Sequence, residues 1–247
     1  MPKAKGHAKP KPTHNSPLST SSRRAPPKVK DPKTSHLYTD DNPSTTIHGT
    51  GFKDSAAAER TLNLIQNRSL LYQWQTVNTM YNRAKHHPSM KKGIPGAAST
   101  ADMRSAMEIF GTWLETTYPA QKAALRAGGF KPLLSKKVME RYLPLVLASG
   151  SVHLEAKAFA EMYVSLAPGK KMGNVLVDPL KPTEADWERK RYDALCALVP
   201  EEKITQGAAT SWSARELWTG EEGGVVSERH LACIAWGWSP VGEGKLP

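Results

Sequence analysis

Cysteine is scarce in this sequence: Cys196 and Cys233 are the two among 247 residues. Two thiols cannot staple a disulfide scaffold or complete a thiolate metal cage. Long hydrophobic runs are missing as well. No stretch approaches the roughly 20 apolar residues that cross a bilayer, so no transmembrane segment is expected. Acidic side chains are absent before Asp31, and bulky apolar ones are nearly so. A secretory signal after Met1 is therefore not expected, because it needs an apolar centre. A folded N-terminal unit is not expected either, because it must bury apolar area to offset chain entropy. Catalytic motifs are also lacking: there is no HExxH, no GxSxG elbow and no Walker GK[ST]. The eight histidines and two cysteines do not fall at zinc-binding spacings. No cofactor, metal or catalytic residue is assigned, and enzymatic activity is the least favoured class.

What the chain does carry is positive charge, unevenly placed. Its formal net charge is +11, with +6 in residues 1–50, +8 in 51–150 and −3 in 151–247. Attraction to an anionic partner therefore belongs to the first 150 residues. An intracellular protein is expected, with the nucleus ahead of the cytoplasm.

Residues 1–35 read as a disordered basic arm rich in Pro, Ser and Thr. Eight of the 19 prolines lie in the first fifty positions, which rules out a continuous helix there. The cluster Arg23, Arg24, Lys28 and Lys30 fits a nuclear-import signal or a set of phosphate contacts. Residues 36–53 read as a lead-in loop anchored by Tyr38, Ile47 and Phe52.

Beyond it the periodicity is helical, and the fold class expected is all-α, a body of about seven to nine short helices. Asp54 or Ser55 caps the first helix, with Ala58, Leu62 and Ile65 inward. The next places Leu70, Trp74, Val77, Tyr81 and Ala84 on its apolar face, widened by Met80, and ends near Pro88. Tyr118-Pro119 is expected to interrupt a third helix, and Pro144 to kink or divide a later one. Val175-Leu176-Val177 reads as an ordered loop or a tiny hairpin. Thr183 with Asp186, Ser213 with Glu216, and Ser227 begin the last helices. The tail after Trp238 is expected to be extended. A Gly/Pro boundary near 128–134 separates a basic subdomain, 54–128, from a C-terminal one, 129–247, unless the two form one continuous body.

The leading functional expectation is non-enzymatic binding of nucleic acid or chromatin. DNA or RNA phosphates would be drawn by Arg83, Lys85, Lys91 and Lys92 together with the arm, and further by Arg68, Arg104 and Lys136-Lys137. Gln73, Asn78, Asn82 and Arg83 would be placed to reach base edges from one helix. The alternative is a helical protein-interaction or scaffold module. For that reading, Trp212, Trp218, Trp236 and Trp238 concentrate aromatic area near the C-terminus, either as a partner-binding patch or, favoured, as closure of a small core. Cys196 and Cys233 are expected to be ordinary core residues, although His230 stands three places before Cys233.

Overall fold

The computed structural model describes residues 47–92, 98–131, 133–205, 212–219 and 224–247. The arm, with Arg23, Arg24, Lys28 and Lys30, and the anchor Tyr38 lie outside the described residues. Residues 42–247 form one compact unit, and it is mostly helical. Its α-helices are α1 (Ser55–Ile65), α2 (Leu70–Lys85), α3 (Pro88–Lys92), α4 (Ala98–Thr112), α5 (Tyr118–Ala127), α6 (Lys136–Ala148), α7 (Leu154–Ser165), α8 (Trp187–Leu198), α9 (Glu201–Thr205), α10 (Ala214–Leu217) and α11 (Glu228–Ala235). The short α3 and α9 exceed the expected set. In α3, Pro88 ends one helix and, at a first-turn position where no amide is needed, opens the next.

Side-chain caps start several of these helices. Asp54 accepts the Ala57 amide at 2.7 Å. The Ser227 hydroxyl accepts the His230 amide and donates to the Glu216 carbonyl. Ser213 and Glu216 form a reciprocal capping box on α10. At α8 the cap is Asp186 itself, whose Oδ1 accepts the Arg189 amide at 2.9 Å, and Thr183 lies outside the helix.

Neither proline interrupts its helix. A π-helical turn, Trp113–Thr117, links α4 to α5 directly, and Pro119 falls in the first turn of α5. The wider turn passes the missing proline amide without ending the helix. Pro144 sits inside α6 on its exposed side. The carbonyl it leaves without an amide partner belongs to exposed Glu140 and faces water.

Two apolar clusters fill the unit. The first draws Ile47, Ala58, Ile65, Val77, Met80, Ala106, Phe110 and Trp113 from the lead-in, α1, α2 and α4. The lead-in is tied down by Thr61, whose hydroxyl accepts the Gly51 amide at 2.8 Å. The second cluster lies between Phe130 and Leu246, with Phe159 fully buried among Trp187, Trp236 and the aliphatic side chains of α6, α8 and α11.

Two small β elements brace this second cluster. Strands β1 (Trp218–Thr219) and β2 (Val225–Val226) pair antiparallel, with Trp218 opposite Val226. Leu176 bridges Asp186, and the Trp187 amide donates to the Val175 carbonyl at 3.0 Å. The chain end is not extended as expected. It turns at Glu243–Lys245, buries Leu246, and is held by Ser135 on Glu243 and by the Tyr142 hydroxyl on the Pro247 carbonyl. An apolar residue this close to the end of the tail favours folding back onto the core over staying in water.

Candidate functional site: an aromatic and basic groove beside helix α2

Helix α2 is rotated relative to the face that its apolar residues suggest. Gln73, Val77, Met80 and Ala84 are buried, whereas Leu70, Trp74 and Tyr81 are half-buried. A polar residue occupies the core position because its needs are met there. The Gln73 amide nitrogen donates to the carbonyls of Gln66 (3.1 Å) and Arg68 (2.8 Å). A buried carboxamide is tolerated when its donors are satisfied.

Rotation turns Trp74 and Tyr81 toward the surface. Tyr81 lines an open groove of about 440 Å³ together with Arg104, Met107, Glu108, Gly111, Thr112 and Glu115. Gly111 contributes no side chain to its floor, and the Tyr81 ring lies 3.8 Å from where a Cβ would stand. Lys85, one turn on from Tyr81, has its Nζ 5.9 Å from that ring's centre. Tyr118 follows the π turn. It stacks on Trp113 at 5.9 Å and meets Trp74 at 6.0 Å, and Lys122 stands 5.1 Å over it. Tyr81 with Lys85, and Tyr118 with Lys122, therefore set aromatic rings beside cations in the first helical cluster. Sequence periodicity missed this because Trp74 and Tyr81 share a helical phase with core residues. The signal that separates them is Gln73, in phase with Val77, Met80 and Ala84.

The expected phosphate contacts divide. Lys85 and Arg104 are exposed. Arg83 is half-buried, and its buried Nε has no hydrogen-bond partner among the described residues. Lys91 and Lys92 lie on α3, directly after α2, and their side chains lie outside the described residues. Arg68 is a correction. It is fully buried, with Nε 3.1 Å from Asp186 Oδ2, Nη1 on the Pro182 carbonyl and Nη2 on the Gly173 carbonyl, so no phosphate reaches it. Lys136 is spent on the carbonyls of Val164 and Leu166. Of the base-reading set, Gln73 is buried and Asn82 bonds back to Asn78. Among the described residues, Arg60, Arg83, Lys85, Arg104, Lys122 and Arg126 form no ion pair. Later in the chain, Lys181, Arg189, Lys190, Lys203 and Arg229 all pair with carboxylates.

The C-terminal tryptophans pack inward. Trp212, Trp236 and Trp238 are buried, and Trp218 is half-buried with its edge against the His230 ring at 5.3 Å. Trp212 lies under Lys203 and Arg229, both of which reach Glu216. Hydrogen bonds from Lys203 and Ser213 hold the Glu216 carboxyl down at about 2.

No cysteine–histidine pair forms among the described residues. Cys233 is buried, and burial pushes its thiol up to about 12, which leaves it unreactive at neutral pH. Cys196 is exposed rather than in the core. His230 Nδ1 donates to the Leu217 carbonyl at 3.1 Å, which makes Nε2 the acceptor for the Ser239 hydroxyl at 2.9 Å. Among the described residues, no cluster of three His, Cys, Asp or Glu side chains has the geometry to hold a metal ion. No helix of the described residues is long and apolar enough to cross a membrane. Comparison with protein-family models, curated proteins and solved structures finds no match.

Burial lowers the His230 pKa below its ordinary 6.5, with the Leu217 carbonyl opposing. The unfolded chain then binds a proton that the folded ring refuses. Stability should hold above about pH 6.5 and decline as pH falls from there toward the depressed folded value. Glu216 adds a separate loss below about pH 4.5. Urea midpoints measured from about pH 2 to about pH 8 should show both steps, and His230→Gln should flatten the upper one while leaving the lower one.

Proposed function

We propose that this chain binds nucleic acid, alone or within chromatin, through phosphate contacts made by the first helical cluster and the basic arm. The observation that carries the reading is that Arg60, Arg83, Lys85, Arg104, Lys122 and Arg126 form no ion pair among the described residues. Their charge is left for an anionic partner rather than spent on neighbouring carboxylates, unlike that of Arg189 and Arg229. Arg83 supports it further, because its half-buried side chain forms no ion pair among the described residues and adds positive charge near Lys85 on α2. The arm would add non-specific attraction, and its Arg23, Arg24, Lys28 and Lys30 cluster suits nuclear entry.

The test is fluorescence anisotropy of the full chain on mixed-sequence DNA and RNA across a salt series. Affinity should fall steeply with salt. Replacing Lys85, Arg104 and Lys122 together by Gln should weaken binding roughly tenfold or more and reduce the salt slope by about 2–3. Binding that ignores salt, or a slope unchanged in the triple variant, would sink the proposal.

A protein-interaction module is the second reading, and a different surface favours it. Leu145, Leu147 and Leu154 are exposed by 51%, 40% and 78% near the α6–α7 connection, while the buried C-terminal tryptophans are not available for contact. Leu154→Glu would abolish partner binding on that reading and leave nucleic-acid binding intact.

A further inference from the structure

Three properties of the groove beside α2 bear on what kind of nucleic acid it suits. First, two of the four side chains that could read a duplex from α2 are engaged within the protein. Gln73 is buried on the Gln66 and Arg68 carbonyls, and Asn82 is tied to Asn78. A major-groove recognition helix needs such side chains free. Second, the same rotation leaves Tyr81 half-exposed on the groove wall, and Trp74, on the same helix, meets Tyr118 at 6.0 Å. Flat rings beside cations stack unpaired bases, and every base has a face to offer. Third, the groove is mixed in charge. Glu108 and Glu115 stand in it, and Arg104, four residues before Glu108 on α4, makes no ion pair with it. Carboxylates inside a groove repel phosphate. They do accept hydrogen bonds from the exocyclic amino groups of bases, as from cytosine N4. Lys85 and Lys122 meanwhile stand over Tyr81 and Tyr118, where a sugar-phosphate chain would run.

We propose that the groove between α2 and α4 takes the bases of single-stranded nucleic acid, stacked on Tyr81 and hydrogen-bonded through amino groups to Glu108 and Glu115, with the backbone along Lys85, Arg104 and Lys122. This rests on the nucleic-acid reading above. It goes further by naming the strand state and the kind of base. A π-helical turn at Trp113–Thr117 shapes the far end of the groove by carrying Glu115 and setting Tyr118 beyond it. Such turns commonly occur where a helix is shaped for binding.

The experiment compares full-chain binding to labelled oligomers of about 12 nucleotides, a span suited to one compact module. The strands are oligo-C, oligo-U and a mixed sequence, as RNA and DNA, each also offered as a duplex at one salt concentration. Single strands should bind at least about tenfold tighter than duplexes, with oligo-C above oligo-U. Tyr81→Ala should weaken single-strand binding by about tenfold and leave duplex binding unchanged, while Tyr81→Phe keeps it. Glu108 and Glu115 are exposed, so replacing both by Gln leaves the fold intact and should erase the preference for oligo-C. Equal binding of duplex and single strand, or indifference to Tyr81→Ala in a chain of normal helicity, overturns this inference and leaves phosphate binding standing. Absence of binding to every probe overturns both.

Discussion

Asp186→Ala should destabilise the protein by about 3–5 kcal/mol, the largest effect expected of any single substitution here. The carboxylate is fully buried and serves two helices at once. Oδ2 accepts from Arg68 Nε (3.1 Å) and from the Ser69 amide (2.9 Å), just before α2, and Oδ1 accepts the Arg189 amide that begins α8. Removing it strips all three donors and leaves a guanidinium in the interior. The carbonyls of Pro182 and Gly173 and the Tyr72 ring, 3.8 Å away, must then hold it alone. Arg68→Ala should cost less. It leaves Asp186 with the two backbone amides of Ser69 and Arg189 still donating to it. Chemical denaturation of both single variants and the double variant measures the coupling. A double variant no worse than Asp186→Ala is expected. Asp186→Ala as stable as the parent would show that the node does not hold the two apolar clusters together.

Gly237→Val should cost about 2–4 kcal/mol by a different route. Gly237 has φ +68, a left-handed backbone that β-branched residues avoid. A Cβ there would lie 2.7 Å from Leu133 Cδ1 and 3.4 Å from Phe159 Cε1. The turn also places two carbonyls where buried Arg191 needs them. Arg191 Nε donates to Trp236 O at 2.7 Å, and its Nη2 to Phe130 O and Gly237 O. Burial lowers that guanidinium to about 10, still charged at neutral pH, so the lost acceptors would be felt. Gly237→Ala should fall between the parent and Val in thermal melting. A Val variant that melts with the parent would mean that neither strain nor overlap is present.

Much of the local structure was legible because its causes are local. Asp54, Ser213 and Ser227 cap helices within three residues of themselves, and a cap needs only its own first turn. The candidate site was half legible. Lys85 and Arg104 are cations whose exposure follows from their position on amphipathic helices. Arg68 reads in the same way as part of a basic surface, yet its partner stands 118 residues away. Trp74 and Tyr81 read as core because aromatic area at helical spacing usually is.

The sequence by itself determined a mostly helical body, the starts of its helices and a basic first half, since each follows from neighbours a few residues apart or from composition. Tertiary structure decided which face of α2 turns inward, which arginine is buried and where the C-terminal tryptophans go. Those outcomes depend on partners distant in the chain. Gln73 entered the core because the carbonyls of Gln66 and Arg68 were there to receive it, and that turn of one helix put Tyr81 at the wall of a groove.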